Sequence, residues 1–159
     1  MSVTRRGRHR RRGQALAEFA LVAPIFFLML LAVIEAGRFI FHYEMLGNAT
    51  RDGARYAIIH GARSVPATGP GSSDPTGNAI RQAVSDAALG VMSVGQLTFP
   101  TPTCDGTAAP GICWSNFPNG GTNDRGTTVR LTVSYTYGAI VPVLPPITVS
   151  AESSGVINN

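Results

Sequence analysis

Between Phe19 and Ile34 the chain carries no charged or strongly polar side chain, and the stretch from Gly13 to Ala36 reads GQALAEFALVAPIFFLMLLAVIEA. Taken back to Gln14, this is about the 20 residues that a helix needs to cross the apolar core of a bilayer. The pattern predicts a transmembrane helix over residues 14–38. Pro24 removes one backbone hydrogen bond inside it and predicts a simple bend, which membrane helices tolerate better than soluble ones. Beyond it, Phe39, Phe41 and Tyr43 suit the membrane surface. From Glu44 to Gly61 the pattern stays helical but changes character. Ala49, Gly53, Ala57 and Gly61 recur every four residues, a stripe with almost no side chain along which another backbone can approach closely. Arg51, Asp52 and Arg55 lie too near that stripe for lipid. Residues 39–62 therefore read as a soluble continuation of the helix, its small stripe against the head or a partner subunit. Arg51, Asp52 and Arg55 read as a solvated face on which Asp52 can bridge to Arg55, with an anion site as the alternative.

The remaining 63–159 predict a small α+β head. VPATGPGSSDPTG is a linker dense in Pro, Gly and Ser, after which Asp74-Pro75 reads as a cap and first-turn pair. Ile80, Ala83, Val84, Ala87, Ala88 and Val91 mark one apolar face of a helix over 75–89. Leu97 and Phe99 suggest a short strand, and residues 100–128 read as irregular. Val129, Leu131, Val133, Tyr135 and Tyr137 alternate with Arg130, Thr132, Ser134 and Thr136, the clearest strand pattern in the chain, and Ile147, Val149 and Ala151 repeat it. These two strands, joined through GAIVPVLPP, predict an antiparallel pair with one face buried against a helix.

Charge changes the picture at one end only. The formal charge of +4 rests on 13 basic residues, six of them Arg5, Arg6, Arg8, Arg10, Arg11 and Arg12; without those six the remaining seven face nine acidic residues, about −2. A basic tail can serve as a nucleic-acid arm, but a cluster abutting a membrane helix is more economically an orientation signal that keeps residues 1–13 in the cytoplasm. The reading therefore includes no nucleic-acid partner, and it places the head on the far side of the membrane. The apolar run is longer than an ordinary signal-peptide core and is not followed by a small-x-small cleavage site, so the helix is retained.

Cys104 and Cys113 are the only cysteines and fall in the loop CDGTAAPGIC. In an oxidising compartment a pair at this separation closes a disulfide. A metal or redox role is the alternative, but the spacing is not that of a zinc knuckle or a CxxC pair, and His9, His42 and His60 are remote in sequence. No serine sits in a nucleophile elbow, no glycine-rich phosphate loop joins a strand to a helix, and the acidic residues of the head are scattered through caps and loops. The sequence gives no reason to expect an enzyme, a metal or a cofactor. Glu18 is the one chemically odd residue: a carboxylate one turn inside an apolar helix costs at least about 2.5–3.5 kcal/mol if left unpaired in lipid. Glu35 and Arg38, three apart, share a helix face and can pair at the outer interface, or form a solvated end-cap pair.

A basic leader ending in Gly13, then Glu18 and Phe19 as fifth and sixth residues counted from Gln14, resembles the class III signal of type IV prepilins. Gly13 to Phe19 (GxxxxEF), Pro24, Glu35 to Arg38 (E-x-G-R) and Ala49 to Ala57 (A-x-R-x-G-A-R-x-A) together resemble the TadE-like family of the tight-adherence (Tad/Flp) pilus system. The resemblance covers about a third of the chain. It implies cleavage between Gly13 and Gln14 by a prepilin peptidase on the cytoplasmic side, and an assembly role for Glu18 and Phe19 in which Glu18 pairs with the new terminal amine of a neighbouring subunit. It implies, as partners, the inner membrane, that peptidase, other Tad pilus-assembly proteins and pilin subunits. Major pilins of this system end soon after the membrane helix, whereas about a hundred residues follow here, which favours a minor pseudopilin. The alternative is a single-pass, membrane-anchored extracytoplasmic binding module; an anchored hydrolase is a third, less supported class.

Overall fold

The computed structural model describes residues 6–116, 121–140 and 145–158, with side chains from residue 13 onward except Val94. Helix α1, Arg6–Ile59, is 54 residues long and continues through Pro24. Helix α2 is Asn78–Ala88, followed by a short 3-10 turn at Val94–Gln96. The strands are β1 (Leu97–Thr98), β2 (Thr107–Ala109), β3 (Ile112–Ser115), β4 (Thr128–Tyr137) and β5 (Ile147–Val156). The chain divides into two compact units, Met1–Arg38 and Phe39–Asn159. The architecture is α+β, a long N-terminal helix and a small head with a second helix and an antiparallel sheet.

Between Phe19 and Ile34 the helix is apolar all round. Leu16, Phe19, Leu21, Val22, Ile25 and Phe26 are all exposed, and the apolar stretch has length and composition enough to cross a membrane. A segment with no polar face has no side that favours water over a nonpolar environment.

In the second unit, β4 is the centre of the sheet. Its Thr128–Leu131 segment pairs antiparallel with β3, and Ser134 and Tyr135 pair with β1. The whole of β4 also pairs with β5, from Thr128↔Val156 to Tyr137↔Ile147. Because the same β4 residues serve β5 and the others, β1 and β3 share one edge of β4 and β5 takes the other. The odd-numbered β4 side chains point inward: Val129, Leu131 and Val133 are fully buried, and Tyr135 and Tyr137 nearly so. Against them lie Leu46, Ala49, Ala54 and Ala57 from the second half of α1, Ile80, Val84 and Ala88 from α2, and Ile112 and Trp114 from β3. The small stripe of α1 is therefore taken up by the head itself. A Cβ on Gly53 would come within 2.3 Å of Val84 Cγ2 and 2.7 Å of Leu131 Cδ2, so helix and sheet approach to a distance that only glycine allows. Arg51, Asp52 and Arg55 are exposed on the opposite face, where Arg51 Nη1 donates to Asn48 Oδ1 at 3.2 Å. The Asp52–Arg55 bridge is not among the ion pairs of the described residues.

Several local expectations change. The interval 100–128 contains the β2–β3 hairpin, with Ala109↔Ile112 closed by the two-residue turn Pro110-Gly111. Gly111 sits at φ 78°, a left-handed position that glycine fills without a steric penalty. Helix α2 begins at Asn78 rather than residue 75. Asp74 does cap it, but from outside: its Oδ1 and Oδ2 accept the backbone N–H groups of Asn78 and Ala79 at 2.8 and 2.9 Å. Pro75 thus lies before the first turn. The linker is also tied down, since Thr68 N donates to His60 O at 2.9 Å and Asn123 Nδ2 donates to Thr68 O at 3.0 Å. Strand β5 runs on to Val156, five residues past the apolar alternation. The joining segment GAIVPVLPP falls partly outside the described residues.

Candidate processing and assembly sites

The processing and assembly residues occupy two turns near the start of the apolar helix. Gly13 lies within α1, and a Cβ built on it meets nothing within 4 Å. A larger side chain there is sterically free, so the fold makes no demand for glycine at this position. Gln14 and Glu18 stand four positions apart, which places both on one helix face. Gln14 Nε2 donates to Glu18 Oε1 at 3.3 Å. That neutral amide satisfies one lone pair of the carboxylate and brings no positive charge to it. Glu18 is exposed, and Phe19 beside it is 68% exposed. The helix thus presents a carboxylate and an aromatic ring side by side on its outer surface.

At the far end of the apolar segment, Arg38 Nη1 lies 3.5 Å from Glu35 Oε2. Glu35 is buried, with 7% of its surface exposed. The Arg38 side chain is 38% exposed, so the pair joins a buried carboxylate to a partly exposed guanidinium.

In the head, Cys104 and Cys113 are joined by a disulfide with their Cα atoms 5.8 Å apart. Cys113 is a β3 residue paired with Ala108 of β2 and Arg130 of β4, so the bridge ties the chain leading into β2 to the middle of the sheet. Among the described residues no three His, Cys, Asp or Glu side chains gather as a metal-binding group.

Sequence reasoning missed the ring cluster at the start of the second unit. Phe39 meets Tyr137 edge to face at 5.4 Å between ring centroids. His42 stacks on Tyr135 at 5.7 Å and meets Tyr137 at 5.3 Å. The hydroxyl of Tyr135 donates to Gln96 Oε1 at 3.1 Å. Phe39 is therefore half-buried against the sheet, while Ile40, Phe41 and Tyr43 remain exposed. The signal was present: Phe39 and His42 are three apart on a helix, and Tyr135 and Tyr137 are two apart on a strand, so each pair shares a face.

Residues 13–55 match the family model described as TadE-like protein. Neither the curated proteins nor the solved structures give a match to the chain. The matched segment takes in Gly13, Gln14, Glu18, Phe19, Pro24, Glu35 and Arg38, and it ends inside the small stripe, after Gly53. That family is the one of the Tad pilus system, and the match falls on the helix that is long and apolar enough to cross a membrane. The likeness to the TadE-like family lies in the N-terminal helix, over 43 of the 159 residues.

Proposed function

We propose that the chain is a minor pseudopilin of a Tad/Flp-type pilus apparatus, a structural subunit rather than an enzyme. It sits in the bacterial inner membrane with residues 1–13 in the cytoplasm and the disulfide-closed head outside. A prepilin peptidase cuts between Gly13 and Gln14, and Glu18 then receives the terminal amine of a neighbouring pilin or pseudopilin. The observation that carries this reading is Glu18 itself, exposed at the start of the apolar segment and, among the described side chains, bonded to the neutral Gln14 amide. A membrane anchor needs no such carboxylate. In an assembly, an ammonium group brought to Glu18 by a second subunit offsets the cost of burying it. Cleavage also suits the site: the peptidase must unwind the helix around the scissile bond, and glycine lowers the helical preference there by about 1 kcal/mol relative to alanine.

Mass spectrometry of the N-terminus in protein recovered from the native host tests the first step. The mature chain is expected to begin at Gln14, and Gly13→Leu to retain the leader while folding normally. Wild-type protein with residues 1–12 intact would favour the anchored binding module instead. Glu18→Leu tests the second step. It is expected to insert and to be cleaved after Gly13, yet to lose co-purification with other pilus-assembly proteins. Normal pili from cells carrying only that variant would show that the carboxylate has no assembly role.

A further inference from the structure

The head has two unlike ends. At one end Ile58 of α1 lies against Gly155 of β5. The same end carries exposed Asp124 and Arg125, and the Arg130–Glu152 ion pair follows at 3.6 Å. At the other end Phe39 of α1 meets Tyr137, the last residue of β4, and Tyr137 is paired with Ile147, the first residue of β5.

That second end is apolar on its outside. Ile40 and Phe41 are 59% and 54% exposed, and Ile140 and Ile147 are 61% and 46% exposed. Pro145 and Pro146 are exposed as well. From Leu131 through Ala151 the sequence holds no charged residue. Water is a poor solvent for such a cluster, and exposed apolar groups gathered at one end of a domain mark a contact surface. What covers it follows from covalent continuity. Phe39 is the residue after Arg38, at which the membrane-suited unit ends. This end of the head is therefore held within a few residues of the bilayer surface, whatever angle the two units adopt.

We infer that the β4–β5 end of the head is a second membrane contact, in which Ile140 and Ile147, with Ile40 and Phe41 of α1, enter the headgroup and upper acyl region of the outer leaflet. Aliphatic and aromatic side chains gain from this boundary without spanning it. The head then touches the membrane through Ile140 and Ile147 as well as through α1. The inference rests on the reading of α1 as a membrane span.

The test uses the full-length protein in vesicles of phosphatidylethanolamine and phosphatidylglycerol. A nitroxide is attached at one introduced cysteine, with the native disulfide kept intact. Three variants are compared: Ile140→Cys at the turn, Leu28→Cys inside the span, and Arg125→Cys at the far end of the head. Collisional access to oxygen and to a water-soluble nickel complex reports lipid against water. The expected result is oxygen access over nickel access at Leu28, the reverse at Arg125, and an Ile140 label on the lipid side of Arg125 with its nickel access reduced several-fold. An Ile140 label as open to nickel as Arg125 overturns the inference while leaving the span in place. Shielding of Ile140 from both reagents overturns it in favour of a protein partner on this surface. Nickel access at Leu28 overturns the span, and the second contact with it.

Discussion

The two halves of α1 solve opposite problems with the same backbone. In the first half, Leu21, Val22, Phe26, Leu28 and Met29 are all more than half exposed. In the second half, Leu46, Ala49, Thr50, Ala54 and Ala57 are at most 2% exposed. Large apolar side chains thus cover the half with no protein around it, and small ones line the half that is packed. A helix that contacts lipid gains from side-chain volume, because every added methylene leaves water. A helix seated on a sheet gains from the absence of volume, because close approach lets the neighbouring side chains complete the core. Residue size therefore shows which half carries its own partner and which half awaits one.

Gly53 offers the strongest way to break that comparison. Val84 and Leu131, which a Cβ there would strike, are both fully buried, so neither can swing into solvent. Gly53→Leu is expected to destabilise the head by about 3 kcal/mol, the upper part of the usual range for overpacking. The gain in helix propensity, about 1 kcal/mol, is too small to offset it. Protease resistance and thermal unfolding of the detergent-solubilised protein measure the effect. A variant as stable as the wild type would mean that the second half of α1 is not seated on the head.

The disulfide is next in size. Cys104 and Cys113 stand nine positions apart, and opening a loop of that length releases chain entropy worth about 2–3 kcal/mol. Replacing both cysteines with serine is expected to lower unfolding stability by that amount. Thiol alkylation of the wild-type protein, taken from its native compartment without reductant, checks the premise. Complete labelling would contradict both the bond and the extracytoplasmic location proposed for the head.

What the sequence disclosed follows the length over which a pattern repeats. The apolar run of α1 and the alternation from Val129 to Tyr137 each extend over many residues, and both elements were legible. So was the pairing of β4 with β5, although the serines and glycine at 153–155 hid the last part of β5. Glycine is required at 155, where Ile58 presses on the strand, a demand that arises only when helix and strand meet. The β2–β3 hairpin was hidden because its strands are three and four residues long. Its Pro110-Gly111 turn looked like one more interruption in a loop rich in both residues. Asp74 was legible as a cap, but its reach across Pro75 to Gly77 depends on how that turn folds. Of the site residues, Gly13, Glu18, Glu35, Arg38 and the cysteines carried local signals. The Phe39–His42–Tyr135–Tyr137 cluster did not stand out because its members lie about 95 positions apart in the chain, and sequence spacing registers only neighbours.

Gly37 supplies the smallest effect on stability and the finest test of the comparison. It belongs to the same helix as Gly53, yet a Cβ on Gly37 meets nothing within 4 Å. Gly37→Leu should leave the unfolding of the head within about 0.5 kcal/mol of wild type, as for an exposed site without special contacts. The helix itself should gain up to about 1 kcal/mol in propensity. The same substitution fills space that a second helix needs for close approach, because small residues are what allow backbones to meet within a membrane. If neighbouring subunits pack at this position, Gly37→Leu should fold and insert normally while losing co-purification with other pilus-assembly proteins. Unchanged co-purification would place the subunit contact on another face of the helix. Loss of head stability, read from the same thermal melt that reports on Gly53→Leu, would instead show that the first half of α1 carries packing of its own and that the contrast between the two halves does not hold.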